Sequence, residues 1–203
     1  MSDTGPKPDT EHIAAETFAE RARLVDLMAD LPPEQWGRPS LCEEWQVRHV
    51  VAHLTFAYRT GPLSYLGAMA RAGFNFDRMA NRAVRADVAR LSDAELVACL
   101  RDNVDNPWQP PGGGAVGALS HDVIHGLDIT EALGLPPAPP ARIGLVLQHA
   151  GRRNLAYFGV DLGGHRLEAT DADVTVGTGT VVRLPVRELL LVVTGRRPLP
   201  AVA

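Results

Sequence analysis

The sequence predicts a mainly α-helical bundle followed by a small α+β appendage, and three observations carry that expectation. Apolar residues recur at helical spacing through most of the first 160 positions. Pro and Gly pairs punctuate those runs at helix-length intervals. After Gly163 and Gly164 the pattern changes to short alternating stretches of the kind a half-buried strand needs. The expected division is a disordered tail over residues 1–10, a helical bundle over 11–160 and a small α+β domain over 161–203.

In residues 11–31, Ile13, Ala14, Phe18, Ala22, Val25, Leu27 and Met28 form an apolar face, and Pro32 and Pro33 end the run. Residues 33–44 read as a loop anchored by Trp36, Leu41 and Trp45. Ser40 and Glu43 have capping-box spacing, so a second helix is expected to open there and to run past His53 to Gly61 and Pro62. A third helix is expected over 64–90, weakened at Gly67 and Gly73, with Arg78, Arg82, Arg85 and Arg90 on a solvated face. Ser92 and Glu95 repeat the capping-box spacing and open a short helix. Residues 105–114, rich in Pro and Gly, form a loop into the apolar run 115–133. Gly134 caps that helix, and Pro136 and Pro137 prevent its continuation. A further helix is expected over 142–158, three strands over 166–184, and a last helix opening at Pro185.

At 203 residues the chain can bury a sizeable core without cross-links. Its 45% apolar and 22% charged residues are ordinary for a globular protein, and a net charge of -4 argues against a nucleic-acid or anionic-membrane partner. Two cysteines, Cys42 and Cys99, lie far apart and read as small buried hydrophobes in a reducing, cytoplasmic setting. The N-terminus lacks the apolar core of a signal peptide, and no apolar run approaches bilayer length.

The chemistry concentrates at residues 120–128, SHDVIHGLD. His121 and His125, four apart, sit one above the other on a helix, and Asp128 continues the same stripe. Two imidazoles aimed at one point make half of a tetrahedral metal site, so a third ligand is expected from another helix. His49 and His53, again four apart, are the candidates. Val50, Leu54 and Ala57 share an inward stripe with His53, whereas His49 suits a hydrogen bond near the helix start. The alternative is that all of these are scattered surface histidines. Asp128 is either an orienting partner of an imidazole or a surface carboxylate. Arg196 and Arg197 either reach a substrate carboxylate or complement the dipole of the last helix.

Residues 41–54, LCEEWQVRHVVAHL, and 121–134, HDVIHGLDITEALG, resemble the two signatures of the mycothiol-dependent maleylpyruvate isomerase family, within the DinB-like four-helix-bundle superfamily. Residues 167–171 and 188–196 are similar to its small C-terminal domain. The resemblance implies a divalent metal, zinc above all, held by His53, His121 and His125. His121 stands where the isomerases carry Glu, which puts the specific isomerase activity in doubt and leaves a bound metal one unit more positive. It implies mycothiol as a thiol cosubstrate and an electrophilic small-molecule substrate, with thiol transfer or cis–trans isomerisation as the reaction. Arg196 and His49 are the candidate catalytic residues. A non-catalytic metal-binding bundle and a zinc-hydroxide hydrolase are the competing readings. The expected state is a monomer or homodimer.

Overall fold

The computed structural model describes residues 9–148 and 152–200. Helix α1 (Thr10–Ala29) opens at Asp9, whose carboxylate accepts the backbone N–H groups of Glu11 and His12. The first eight positions of the expected tail lie outside the described residues, while Thr10 is already helical. A single-turn helix α2 (Pro33–Trp36) occupies part of the expected loop and buries Trp36.

Ser40 does not open the next helix. Its hydroxyl accepts from Cys42 N and donates to the Trp45 carbonyl, closing a loop in which Glu44 adopts a left-handed φ of 63°. Helix α3 (Val47–Arg59) has Gln46 as its cap, six residues beyond Ser40. A Ser hydroxyl that satisfies loop backbone is no longer free to cap a helix.

The single helix expected over 64–90 is two helices, α4 (Pro62–Arg71) and α5 (Phe76–Val88). Gly73 and Phe74 turn the chain with φ of 67° and 57°, and the Asn75 side chain caps α5 by accepting Arg78 N. The four arginines of its second half are exposed as expected. Ser92 and Glu95 do form a reciprocal capping box at the start of α6 (Asp93–Arg101). Helix α7 (Gly114–Leu133) ends on left-handed Gly134.

Helices α8 (Pro140–Gln148) and α9 (Arg152–Tyr157) fill the region read as one helix, with the junction outside the described residues. The appendage contains strands β1 (His165–Ala169), β2 (Thr175–Gly177) and β3 (Thr180–Leu184), then helix α10 (Val186–Val193). The sheet order is β2-β1-β3, with β1 antiparallel to β2 and parallel to β3. The chain therefore steps from one edge of the sheet to the other across the start of β1. Gly179, at φ +112°, permits this: a Cβ there would lie 1.9 Å from the Gly164 carbonyl oxygen.

Two cores position the rest. One joins α1, α3, α5, α6 and Ile129 of α7 around Leu24, Val50, Val51, Leu96 and Leu100. The other joins the opposite side of α7, through Leu119, Val123 and Leu127, to α8, the sheet and Leu189 to Val193 of α10. Helix α7 is thus the wall shared by bundle and appendage. Arg142 ties α8 to α1 through Glu16 at 2.7 Å and Glu20 at 2.8 Å. Among the described residues, no helix is long and apolar enough to cross a membrane.

Candidate functional site

The inner face of α7 carries His121 and His125, and α3 brings His53 against them. The three ring centroids form a triangle with sides of 4.7, 5.0 and 5.0 Å. Each ring offers a nitrogen within 4.8 Å of the other two, a spacing that could hold one metal ion. Two helices meet here because α3 presents Val50, Val51 and Leu54 to the bundle core, which fixes His53 on the neighbouring stripe.

The two histidines of α7 are oriented from behind. His121 Nδ1 lies 2.8 Å from Asp122 Oδ1, and His125 Nδ1 lies 2.9 Å from Asp128 Oδ2. A carboxylate at Nδ1 keeps that nitrogen protonated and leaves Nε2 as the free lone pair. Behind each carboxylate stands a guanidinium. Arg21 Nε meets Asp122 Oδ2 at 2.7 Å. Arg196 holds Asp128 with two nitrogens, at 3.0 and 3.1 Å. Cys42 Sγ also donates to Asp128 Oδ2, at 3.1 Å.

Burial and the charges of His125 and His121 push His53 well below the usual imidazole value. Burial also lowers His125, against the opposing pull of Asp128. Both are therefore neutral near pH 7, the state a metal ligand needs. His53 Nδ1 is buried with no hydrogen-bond partner, an unsatisfied polar atom facing the site, and Nη2 of Arg21 behind Asp122 is likewise unpaired. Burial alone would raise Asp128, but hydrogen bonds from His125 and Arg196 hold it well below the usual carboxylate range. The Cys42 thiol is pushed up to about 12 by burial and by the Asp128 charge, so it stays protonated and donates.

These shifts set a pH dependence. The folded-state values of His53 and His125 lie below their unfolded ones, so the unfolded chain binds more protons as pH falls through the ordinary imidazole value of about 6.5. The metal-free protein is expected to lose stability steadily from pH 7 to pH 5, read as a falling urea midpoint. The Asp128 contribution is present above the ordinary carboxylate value of about 3.9 and fades only below it. A midpoint flat across pH 5–7 would mean the imidazoles are not held neutral by the fold.

Aromatic rings surround the histidines. Trp45 lies 5.0 Å from His53 and 6.4 Å from His125, Trp108 lies 5.5 Å from His121, and Phe76 lies 6.5 Å from His53. Trp45 is fixed by its indole N–H, which donates to Asn81 Oδ1 at 2.6 Å. The remaining sequence candidates sit differently. His49 Nδ1 accepts Gln46 N at 3.2 Å in a helix cap. Arg196 packs under Phe158 and spends its nitrogens on Asp128 and the Thr194 carbonyl. Arg197 is paired with Glu188 and Glu131.

Asp122, Arg21 and the donor role of Cys42 escaped the sequence reading. Adjacent helical residues point in different directions, so spacing could not join Asp122 to His121. The available signal was a charged residue within each apolar run, since a buried charge needs a partner.

Residues 17–106 match the family model of the mycothiol maleylpyruvate isomerase N-terminal domain. That stretch of the chain is similar to this family. The matched stretch of the maleylpyruvate isomerase domain includes Arg21, Trp45 and His53, whereas His121, His125 and Asp128 lie beyond it. A search of the curated proteins matches none. Among solved structures, a mutant of the mycothiol-dependent maleylpyruvate isomerase is similar with a TM-score of 0.60 at 13% identity, covering 97% of this chain and 93% of that one. A second crystal structure of that isomerase gives 0.56 at the same identity and coverage. At such identity these neighbours show the shared fold alone, DinB-like helices with a small sheet.

Proposed function

We propose that the chain is a metal-dependent enzyme in which His53, His121 and His125 hold a divalent ion, zinc before others, and a low-molecular-weight thiol adds to a small electrophile. The observation that carries this reading is the triangle of three imidazoles, two of them oriented by buried carboxylates. Three protein ligands leave a coordination position open, the arrangement of catalytic rather than structural zinc. A metal bound there supplies the Lewis acidity that lets a thiol lose its proton near neutral pH.

The residues do the rest. Asp122 and Asp128 hold both α7 imidazoles with Nε2 free. Arg196 neutralises Asp128, so that the carboxylate remains an acceptor for His125 rather than a competing ligand. Trp45, Trp108 and Phe76 present apolar faces that exclude water from the reacting centre. The family points to mycothiol as the thiol, and the reaction is then addition of sulfur to an unsaturated carbon. Rotation about the resulting single bond and elimination of the same thiol gives cis–trans isomerisation, while retention of the sulfur gives transfer.

Metal content of the purified protein, followed by calorimetry of the metal-loaded form with mycothiol, tests this. Binding with release of about one proton is expected, seen as a heat that depends on buffer ionisation. A protein that binds metal but gives no heat and conjugates no electrophile is a metal-binding bundle without turnover.

A further inference from the structure

Arg21 is a large, fully buried charged side chain, and its hydrogen bonds lead to one side of the histidine triangle. Its Nε meets Asp122 Oδ2 at 2.7 Å, while Asp122 Oδ1 meets His121 Nδ1 at 2.8 Å. Its Nη1 donates to the carbonyl of Asn106 at 2.6 Å and, more weakly, to that of Val104 at 3.4 Å. Asn106 in turn accepts Trp108 N on its side-chain oxygen at 3.0 Å, and the Trp108 ring stands edge-on to His121. The guanidinium carbon also lies 5.4 Å from the Tyr58 ring, which packs edge-on against Trp108. One planar cation therefore touches the group behind His121 and the loop that carries the ring beside it.

We infer that Arg21 is a positioning residue for His121: through Asp122 it fixes the imidazole with Nδ1 outward, and through the 104–106 carbonyls it seats Trp108 against the same ring. A guanidinium suits the task because its donors diverge in one plane, so one side chain serves a carboxylate and two carbonyls together. An ammonium is a point charge and cannot serve both sides at full strength. Arg142 provides the internal contrast. It is also a buried arginine paired with carboxylates, but its partners Glu16 and Glu20 join α8 to α1 and touch none of the three histidines.

The inference rests on the metal-binding reading only for one of its two measurements. In metal-free protein labelled with 15N-histidine, Asp122→Asn and Arg21→Lys are each expected to move the His121 ring resonances and leave those of His125 in place. In Co2+ titrations of the whole chain, both variants are expected to bind roughly 10–100-fold more weakly with an altered visible spectrum. Arg142→Met is expected to lower stability with neither effect. Unchanged His121 resonances in a folded Asp122→Asn or Arg21→Lys variant overturn the inference and leave Arg21 a core ion pair. Wild-type protein that takes up no Co2+ overturns the metal reading instead, and the nitrogen resonances alone then decide the role of Arg21.

Discussion

His125→Ala is expected to yield a folded protein that holds neither metal nor thiol. The substitution removes one corner of the triangle and leaves two imidazoles, too few for a catalytic zinc site. Folding survives because Asp128 keeps two hydrogen bonds from Arg196 and one from Cys42. Losing one charge-assisted hydrogen bond costs about 1.5–3 kcal/mol, within the reserve of an ordinary domain. Elemental analysis and calorimetry with mycothiol check the loss, and circular dichroism checks the fold. Metal bound at wild-type affinity would show that the imidazole triangle is not the binding site.

Arg21→Met is expected to produce the largest stability loss of any single exposed or buried ion-pair change in this chain. It leaves Asp122 buried with its counter-charge gone, and breaking such a pair costs about 3–5 kcal/mol. For a domain of this size that corresponds to a fall of roughly 6–20 °C in the thermal midpoint. Arg85→Met, which breaks the exposed pair with Glu44, should shift the midpoint by no more than about 1 kcal/mol allows. The double change Arg21→Met with Asp122→Leu should recover much of the loss, because an apolar pair of similar volume needs no solvation. A single variant as stable as the wild type would mean water reaches Asp122 and the pair contributes little.

Helix identity was legible wherever an apolar period and a cap agreed, as at Ser92 with Glu95 and at Gly134. It failed where a local side-chain bond competed. Ser40 satisfies loop backbone instead of a helix, and Asn75 restarts a helix that periodicity carries through Gly73. The site was legible to the extent that one helix face determines it. His121, His125 and the Asp128 contact follow from three- and four-residue spacing, and the apolar stripe beside His53 singles it out from His49. The supporting charges were not legible, because Arg21 and Asp122 are separated by 101 positions and meet only after α1 packs on α7. Arg196 was foreseen as a group reaching for a carboxylate, and the one it reaches belongs to the protein itself.

The bond between Arg196 and Asp128 also has a consequence for biosynthesis. The ribosome makes His125 and Asp128 long before the arginine, which follows 68 positions later. Until that residue emerges, a nascent chain carries a carboxylate facing its own apolar wall with only a thiol and an imidazole to answer it. The C-terminal half of α7 therefore gains its full burial only when the appendage docks.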